Sequence, residues 1–158
     1  MREKYYLDND WYFSEKWEAA QGNAEYDEAA MQSVRIPHTV KELPFHYFDE
    51  HAYQMVSGYR RHLFAKKEWK GKVVRLTFEG VAHDSEAYVN GKKAGAHHCG
   101  YTAFTIDISA LLHYGEDNVI AVRVDSNENL NVPPFGFVID YMTYGGIYRD
   151  VYLEINEE

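Results

Sequence analysis

Asp140 stands in a long stretch just ahead of Tyr144-Gly145-Gly146. A carboxylate in such a loop can accept two hydroxyl hydrogen bonds at once and fix the orientation of whatever bears them. The plainer reading is a loop acid that caps a turn. Tyr141 and Tyr144 follow it, and packing at an interface is the simpler role for both. His97-His98-Cys99 offers imidazole and thiol ligands. Neighbours on a strand point apart, and no second pair has zinc spacing, so no metal and no cofactor is expected. Asn127-Glu128, inside SNENLN, reads as a solvated polar loop. Gly145-Gly146 reads as a tight backbone turn, because no helix start follows to complete a phosphate cradle. His38 is expected to hydrogen-bond its own loop.

Three arginines call for partners. Arg149 follows Ile147 at a two-residue spacing, which predicts a guanidinium aimed at the interior and paired with an acid such as Asp107 or Asp125. Arg60 and Arg61 are adjacent on an extended run, so only one of them can point inward.

The elements that must position these groups are strands. Between Lys72 and Ile108, Val74, Leu76 and Phe78 alternate with polar residues, as do Ala87 and Val89, then Phe104, Ile106 and Ile108. That is the period of a strand with one buried face. Asn90-Gly91 lies between two such runs and predicts a two-residue type I′ hairpin. Leu7–Phe13 predicts a first strand with Trp11 and Phe13 on one face. Ser14–Ser33 is polar, with room for one helical turn from Ala24. Val34–Ile36 predicts a short strand stopped by Pro37, and His38–Gln54 a long aromatic loop. Ser57–Ala65 predicts a strand and Lys66–Gly71 a polar turn. Ser109 predicts a cap on one helical turn, Ala110–His113, ended by Gly115. Asn118–Val124 and Ile147–Ile155 predict the last strands, with Ile120, Val122, Val124, Ile147, Val151 and Leu153 inward. Ser126–Gly146 is again loop. Many short strands without βαβ alternation predict an all-β sandwich. Long-range pairing across large loops favours a jelly roll.

Composition narrows the function. A chain of 158 residues with 46% hydrophobic content suits one domain with an ordinary core. A net charge of −9 argues against a nucleic-acid partner. No apolar run approaches the roughly 20 residues that span a bilayer, and no signal peptide is visible, so a cytoplasmic place is expected, with secretion left open. Cys99, the one cysteine, forms no internal disulfide. Aromatic residues make up 16%, with 14 tyrosines, a composition that suits sugar recognition and interfaces equally.

Five pieces in order carry a family pattern: VRIPHT (Val34–Thr39), YRRHLF (Tyr59–Phe64), LTFEGVAHDSEAYVNGKKAGAHHCGYTAFTIDIS (Leu76–Ser109), NVIAVRVDS (Asn118–Ser126) and DYMTYGGIYRDVYL (Asp140–Leu153). In these the chain resembles the N-terminal sugar-binding domain of glycoside hydrolase family 2, the β-galactosidase and β-glucuronidase family. It departs at Val40, where many members have Trp, and at Met31, where an aromatic is usual. The resemblance implies a galactose-binding-like jelly roll over residues 1–158 that precedes an immunoglobulin-like domain and a catalytic (β/α)₈ barrel. Those two domains would be its partners in one parent chain, together with a β-galactoside or β-glucuronide. Both catalytic glutamates would lie on the barrel, so no residue here is expected to be catalytic and Asn127-Glu128 is not the acid/base pair it imitates. The matching family aspartate reaches into the barrel's active site, which would make Asp140, with Tyr141 and Tyr144, substrate-binding within the full-length enzyme. Arg61, Asn90, Gly91, Gly145, Gly146 and Arg149 would be structural. Glu154–Glu158 ends the last strand as though another domain followed. A free-standing carbohydrate-binding module, with Tyr53, Tyr101 or Phe135 as a stacking platform, is the second reading. A self-associating interaction sandwich is the third; the exposed interface of a severed domain predicts self-association too, so a homo-oligomer does not distinguish the third reading from the first.

Overall fold

The chain folds into short antiparallel strands, many of which carry a two-residue alternation of apolar and polar side chains. The computed structural model describes residues 2–43, 45–46, 49–133 and 144–157. Its strands are β1 (Glu3–Tyr6), β2 (Trp11–Ser14), β3 (Gln32–Val34), β4 (Val56–Phe64), β5 (Val73–Phe78), β6 (Val81–Ala82), β7 (Asp84–Val89), β8 (Lys92–His98), β9 (Phe104–Asp107), β10 (Asp117–Asp125), β11 (Gly146–Ile147) and β12 (Val151–Asn156). One sheet runs β1-β12-β5-β9 and the other β3-β2-β4-β10-β7-β8, while β11 and β6 form a small bridge. The result is an all-β jelly-roll sandwich. Neighbours in the sheets are often far apart in the chain: β1 pairs with β12 so that Glu3 faces Ile155.

The core lies between the two large sheets. Val74, Leu76 and Phe78 of β5 and Val151, Leu153 and Ile155 of β12 are almost wholly buried, as are Tyr59, Ile120, Val122, Val124 and Val89 opposite them. Burying each such side chain contributes about 1.5–3 kcal/mol. Asn90 (φ 50°) and Gly91 (φ 80°) make the turn between β7 and β8, with the positive φ pair that a type I′ hairpin requires. The Asn90 side chain also ties this turn to the body. Its Nδ2 donates to the Leu111 carbonyl at 2.9 Å and to Asn118 Oδ1 at 2.7 Å, and its Oδ1 accepts from Val119 N at 3.0 Å.

The outer face of the four-stranded sheet carries a row of alternating charge. Lys4, Glu154, Arg75 and Asp107 sit side by side across β1, β12, β5 and β9. Opposite charges on adjacent strands support that register.

The structure corrects several expectations. Leu7–Phe13 is not one strand: β1 lies upstream, and Asp10 at φ 64° turns the chain into β2. The helical turn from Ala24 does not form; a 3₁₀ turn at Ala19–Gly22 precedes it. Lys66–Gly71 is less polar than its sequence, because Trp69 within it is buried. Ser109 opens a 3₁₀ turn, Ser109–Leu111, without capping it. Its Oγ instead accepts from Val74 N at 2.8 Å and donates to Asp107 at 2.6 Å. Arg149 is not aimed at the core. It lies in the bend between β11 and β12, half exposed, with Glu79 at 3.7 Å rather than Asp107 or Asp125. The bend breaks the alternation on which the inward reading depended.

The paired arginines divide unexpectedly. Arg61 shares a cross-strand row with the buried Trp11, Ile120 and Val89, so it is on the core-facing side. Its head nonetheless reaches the rim, where Nε donates to the Asn9 carbonyl at 2.8 Å and a terminal nitrogen to the His62 carbonyl at 2.7 Å. Arg60 points to the outer face and is completely buried there. The polar segment 15–31 lies across that face as a strap and covers it.

Candidate functional site

One end of the sandwich gathers residues from four distant stretches: the segment after β3, the 3₁₀ turn Glu50–Tyr53, the β6–β7 junction, and the chain on either side of residues 134–143. Asp140 and Tyr141, the first two sequence-derived substrate residues, lie outside the described residues, as does Phe135. Tyr144 is described. It is about half exposed, and its ring meets Tyr53 edge-on at 5.5 Å.

The stem that follows Tyr144 is clamped. Val40 N donates to the Gly145 carbonyl at 3.0 Å and His38 N to the Ile147 carbonyl at 2.8 Å, while Gly146 and Ile147 pair with Ala82 and Val81. A Cβ on Gly145 would meet Ser126 Cβ and Oγ at 2.7 Å. At Gly146, φ is 108° and a Cβ would meet the Tyr59 hydroxyl at 2.5 Å. Both positions therefore exclude a side chain. Ser126 joins the neighbouring loop: its Oγ donates to the Tyr53 carbonyl, and its N donates to the Met55 carbonyl at 2.9 Å.

Beneath the stem is an aromatic group. His38 Nδ1 is 2.8 Å from the Tyr59 hydroxyl, and Phe13 lies 4.8 Å from the His38 ring and 5.0 Å from the Tyr59 ring. His38 thus bonds to a β4 tyrosine and not to its own loop. Burial holds its pKa below the usual imidazole value, against a smaller opposing pull from Glu42, and burial raises the Tyr59 phenol well above its usual range. A cleft of about 330 Å³ opens beside His38, with Phe13, Gln32, Thr39, Lys41 and Glu42 on its walls.

A second, smaller cleft of about 70 Å³ lies at the β6–β7 junction, bounded by His83, Asp84, Asp125, Asn127, Glu128 and Val132. His83 is buried. Its Nδ1 sits 3.4 Å from the Asn127 carbonyl, and its Nε2 has no hydrogen-bond partner among the described residues. Burial lowers its pKa, while the Asn127 and Tyr144 backbones pull the other way. Asn127 is itself held by Asp125, whose Oδ1 accepts from its backbone N at 3.1 Å and its Nδ2 at 2.8 Å. Glu128 follows in the loop on this cleft.

His98 pairs with Asp84 at 2.6 Å, whereas His97 bonds Thr102 at 2.7 Å and stacks on Phe104 at 4.5 Å. The two histidines face different partners. Among the described residues, no group of His, Cys, Asp and Glu side chains is arranged to hold a metal ion. Tyr53, offered above as a stacking platform, is 4% exposed and has no free face.

Sequence reasoning missed His83, Tyr59 and Ser126. Each owes its position to a junction between elements, and no periodicity marks a junction. The VAHDS run around His83, breaking strand alternation between two strands, was the one available signal.

Such a framework, antiparallel and with its loops collected at one end, defines the class of jelly-roll domains that present loops to a ligand or a neighbour. Residues 6–156 match the family described as "Glycosyl hydrolases family 2, sugar binding domain", and the chain belongs to that family. It is 40% identical over 159 residues to a β-galactosidase of Thermoanaerobacterium thermosulfurigenes, covering all of this chain and 22% of that protein. It is 46% identical over 132 residues to a β-galactosidase of Thermoanaerobacter pseudethanolicus, covering 83% of this chain and 18% of the other. The crystal structure of a Bacteroides uniformis β-glucuronidase superposes with a TM-score of 0.85 at 28% identity, over 98% of this chain and 18% of that one. The chain spans about a fifth of the length of these relatives.

Proposed function

We propose that this domain serves a longer β-galactosidase- or β-glucuronidase-type glycosidase as a non-catalytic sugar-binding part. It braces a catalytic (β/α)₈ barrel and an immunoglobulin-like domain, and it lends the loop bearing Asp140 to the rim of the sugar pocket. The family supports the sugar. One structural observation supports the manner: the stem Tyr144–Ile147 is locked between His38–Val40 and β6, with no space for a Cβ at Gly145 or Gly146. A loop that must hold a carboxylate against a substrate needs such an anchor. Retaining hydrolysis needs two carboxyl groups about 5–5.5 Å apart, and in this reading the barrel provides both.

The test has two arms. The 158-residue chain alone is expected to show no turnover of nitrophenyl β-galactoside or β-glucuronide; turnover by highly purified chain overturns the reading. In the complete enzyme, Asp140→Ala is expected to lower kcat/KM about 100-fold or more, the loss expected when a charged hydrogen-bonding group is removed from a transition state. Calorimetric titration of the chain with galactosides and glucuronides addresses the carbohydrate-module reading, which Tyr101, about half exposed, favours. Binding at millimolar concentration or better without the barrel supports a module.

A further inference from the structure

We propose that His62 is an acid-closed latch that fastens the 15–31 strap over the outer face of the six-stranded sheet, so that the strap opens more readily as pH rises. The observation is a chain of charged groups that runs from the strap to two strands. Glu28, on the strap, receives Arg60 Nε at 2.8 Å through one oxygen, and His62 Nε2 lies 3.0 Å from the other. His62 Nδ1 lies 2.5 Å from Asp117 Oδ2 on β10. One imidazole therefore bridges two carboxylates from separate parts of the chain. The charged groups that face it are Glu28 from the strap and Asp117 from β10. Arg60, its neighbour on β4, meets it through Glu28.

Chemistry makes this bridge a switch. An imidazolium donates from both ring nitrogens, so it satisfies both carboxylates. A neutral ring has one N–H and one lone pair. The lone pair must then face a carboxylate oxygen, also an acceptor, and one of the two contacts becomes repulsive. Hydrogen bonds and charge from Asp117 and Glu28 raise the pKa of His62 despite partial burial. A raised folded pKa gives stability that is complete below the unfolded value of about 6.5 and is lost as pH rises through the folded value.

What the latch controls is cover for Arg60. Two strap carbonyls, Gln21 and Asn23, accept from one Arg60 nitrogen, the second at 2.7 Å, and the Tyr26 ring lies 5.3 Å from the guanidinium. Trp17 stacks on Tyr88 at 5.8 Å, which fixes the strap's near end. The Arg60–Glu28 contact is made directly, without the imidazole. Loss of the His62 bridge therefore loosens the Glu28 end of the strap without unfolding the sandwich.

Amide hydrogen exchange read by mass spectrometry tests this on the 158-residue chain. After correction for intrinsic exchange, opening of residues 15–31 is expected to rise about fivefold between about pH 6 and about pH 8.5, relative to peptides from β10 and β7. In His62→Gln, which cannot titrate, the segment is expected to open equally at both values. An unchanged ratio in the native chain, or the same pH response in His62→Gln, overturns the latch. A proton titration of the His62 ring by NMR is the second readout, independent of any variant. A transition above the ordinary imidazole value supports the proposal, and one at or below it overturns it.

Discussion

The two faces of the six-stranded sheet bury comparable side chains by opposite means. On the inner face, Trp11, Ile120 and Val122 meet the apolar residues of β5 and β12. On the outer face, Arg60, Ala121 and Val119 are just as inaccessible, beneath a strap of polar sequence held by carbonyls, a carboxylate and a histidine. Inner burial is non-directional and tolerates small shifts. Outer burial depends on pairing, since an unpaired guanidinium or carboxylate in that position costs several kcal/mol. Whether a side chain faces the core and whether it is covered are therefore separate facts in this protein. Arg61 faces the core side and reaches water at the rim, while Arg60 faces away and is sealed.

The largest test of that contrast is Arg60→Met beside Leu76→Ala. Removing Arg60 strands Glu28 and several carbonyls, with an expected loss of about 3–5 kcal/mol in urea unfolding. Leu76→Ala leaves a cavity and is expected to cost about 2–5 kcal/mol. Adding Glu28→Gln to Arg60→Met is expected to recover part of the first loss and to leave the second unaltered. If the pair of changes is simply additive, the outer face is not organised by pairing.

A smaller effect is expected at the loop-bearing end. Gly146→Ala places a Cβ against the Tyr59 hydroxyl at a φ of 108°, and about 1–3 kcal/mol of stability should be lost. Near-ultraviolet circular dichroism should show Tyr59 and its aromatic neighbours disturbed, while the strap exchanges as before. A strap that loosens in this variant would mean that the two faces are coupled through β4.

The smallest effect is a difference in sign. His83 is buried and His38 half-buried, and burial lowers the pKa values of both. A lowered folded value gives stability that is present above the unfolded value of about 6.5 and lost as pH falls through the folded one. His62 runs the other way. Acidification from about pH 7 to about pH 5 is thus expected to loosen the His38 and His83 end while the strap stays shut, and residue-level exchange can read both in one sample. A common direction at the two places would erase the distinction.

The sandwich was legible because its core strands obey one rule. Val74, Leu76 and Phe78 alternate with Arg75 and Thr77, Ile120, Val122 and Val124 share one face at the same two-residue spacing, and Asn90-Gly91 marks its own turn. The family resemblance extended that reading across nearly all the chain. Legibility failed where long-range contacts decide. Nothing near Arg60 in the sequence announces Glu28, 32 positions earlier, as its partner. Arg149 was misplaced because a bend at 148–150 interrupts the strand pattern that its neighbours suggest. At the candidate site, Gly145-Gly146 could be read as a turn. The reason that neither tolerates a side chain is Ser126 and Tyr59, which reach the same spot from elsewhere in the fold.

Glu3 lies directly across from Ile155. Adjacent strands are about 4.8 Å apart, so whatever is attached ahead of the first strand and whatever is attached behind the twelfth must leave from neighbouring points. A pull on either attachment is shared through β1 and β12, side by side, before it reaches the centre of the sandwich. A tether of a few residues could join those points, which makes the domain suited to circular permutation, with the opening cut placed in a distant loop.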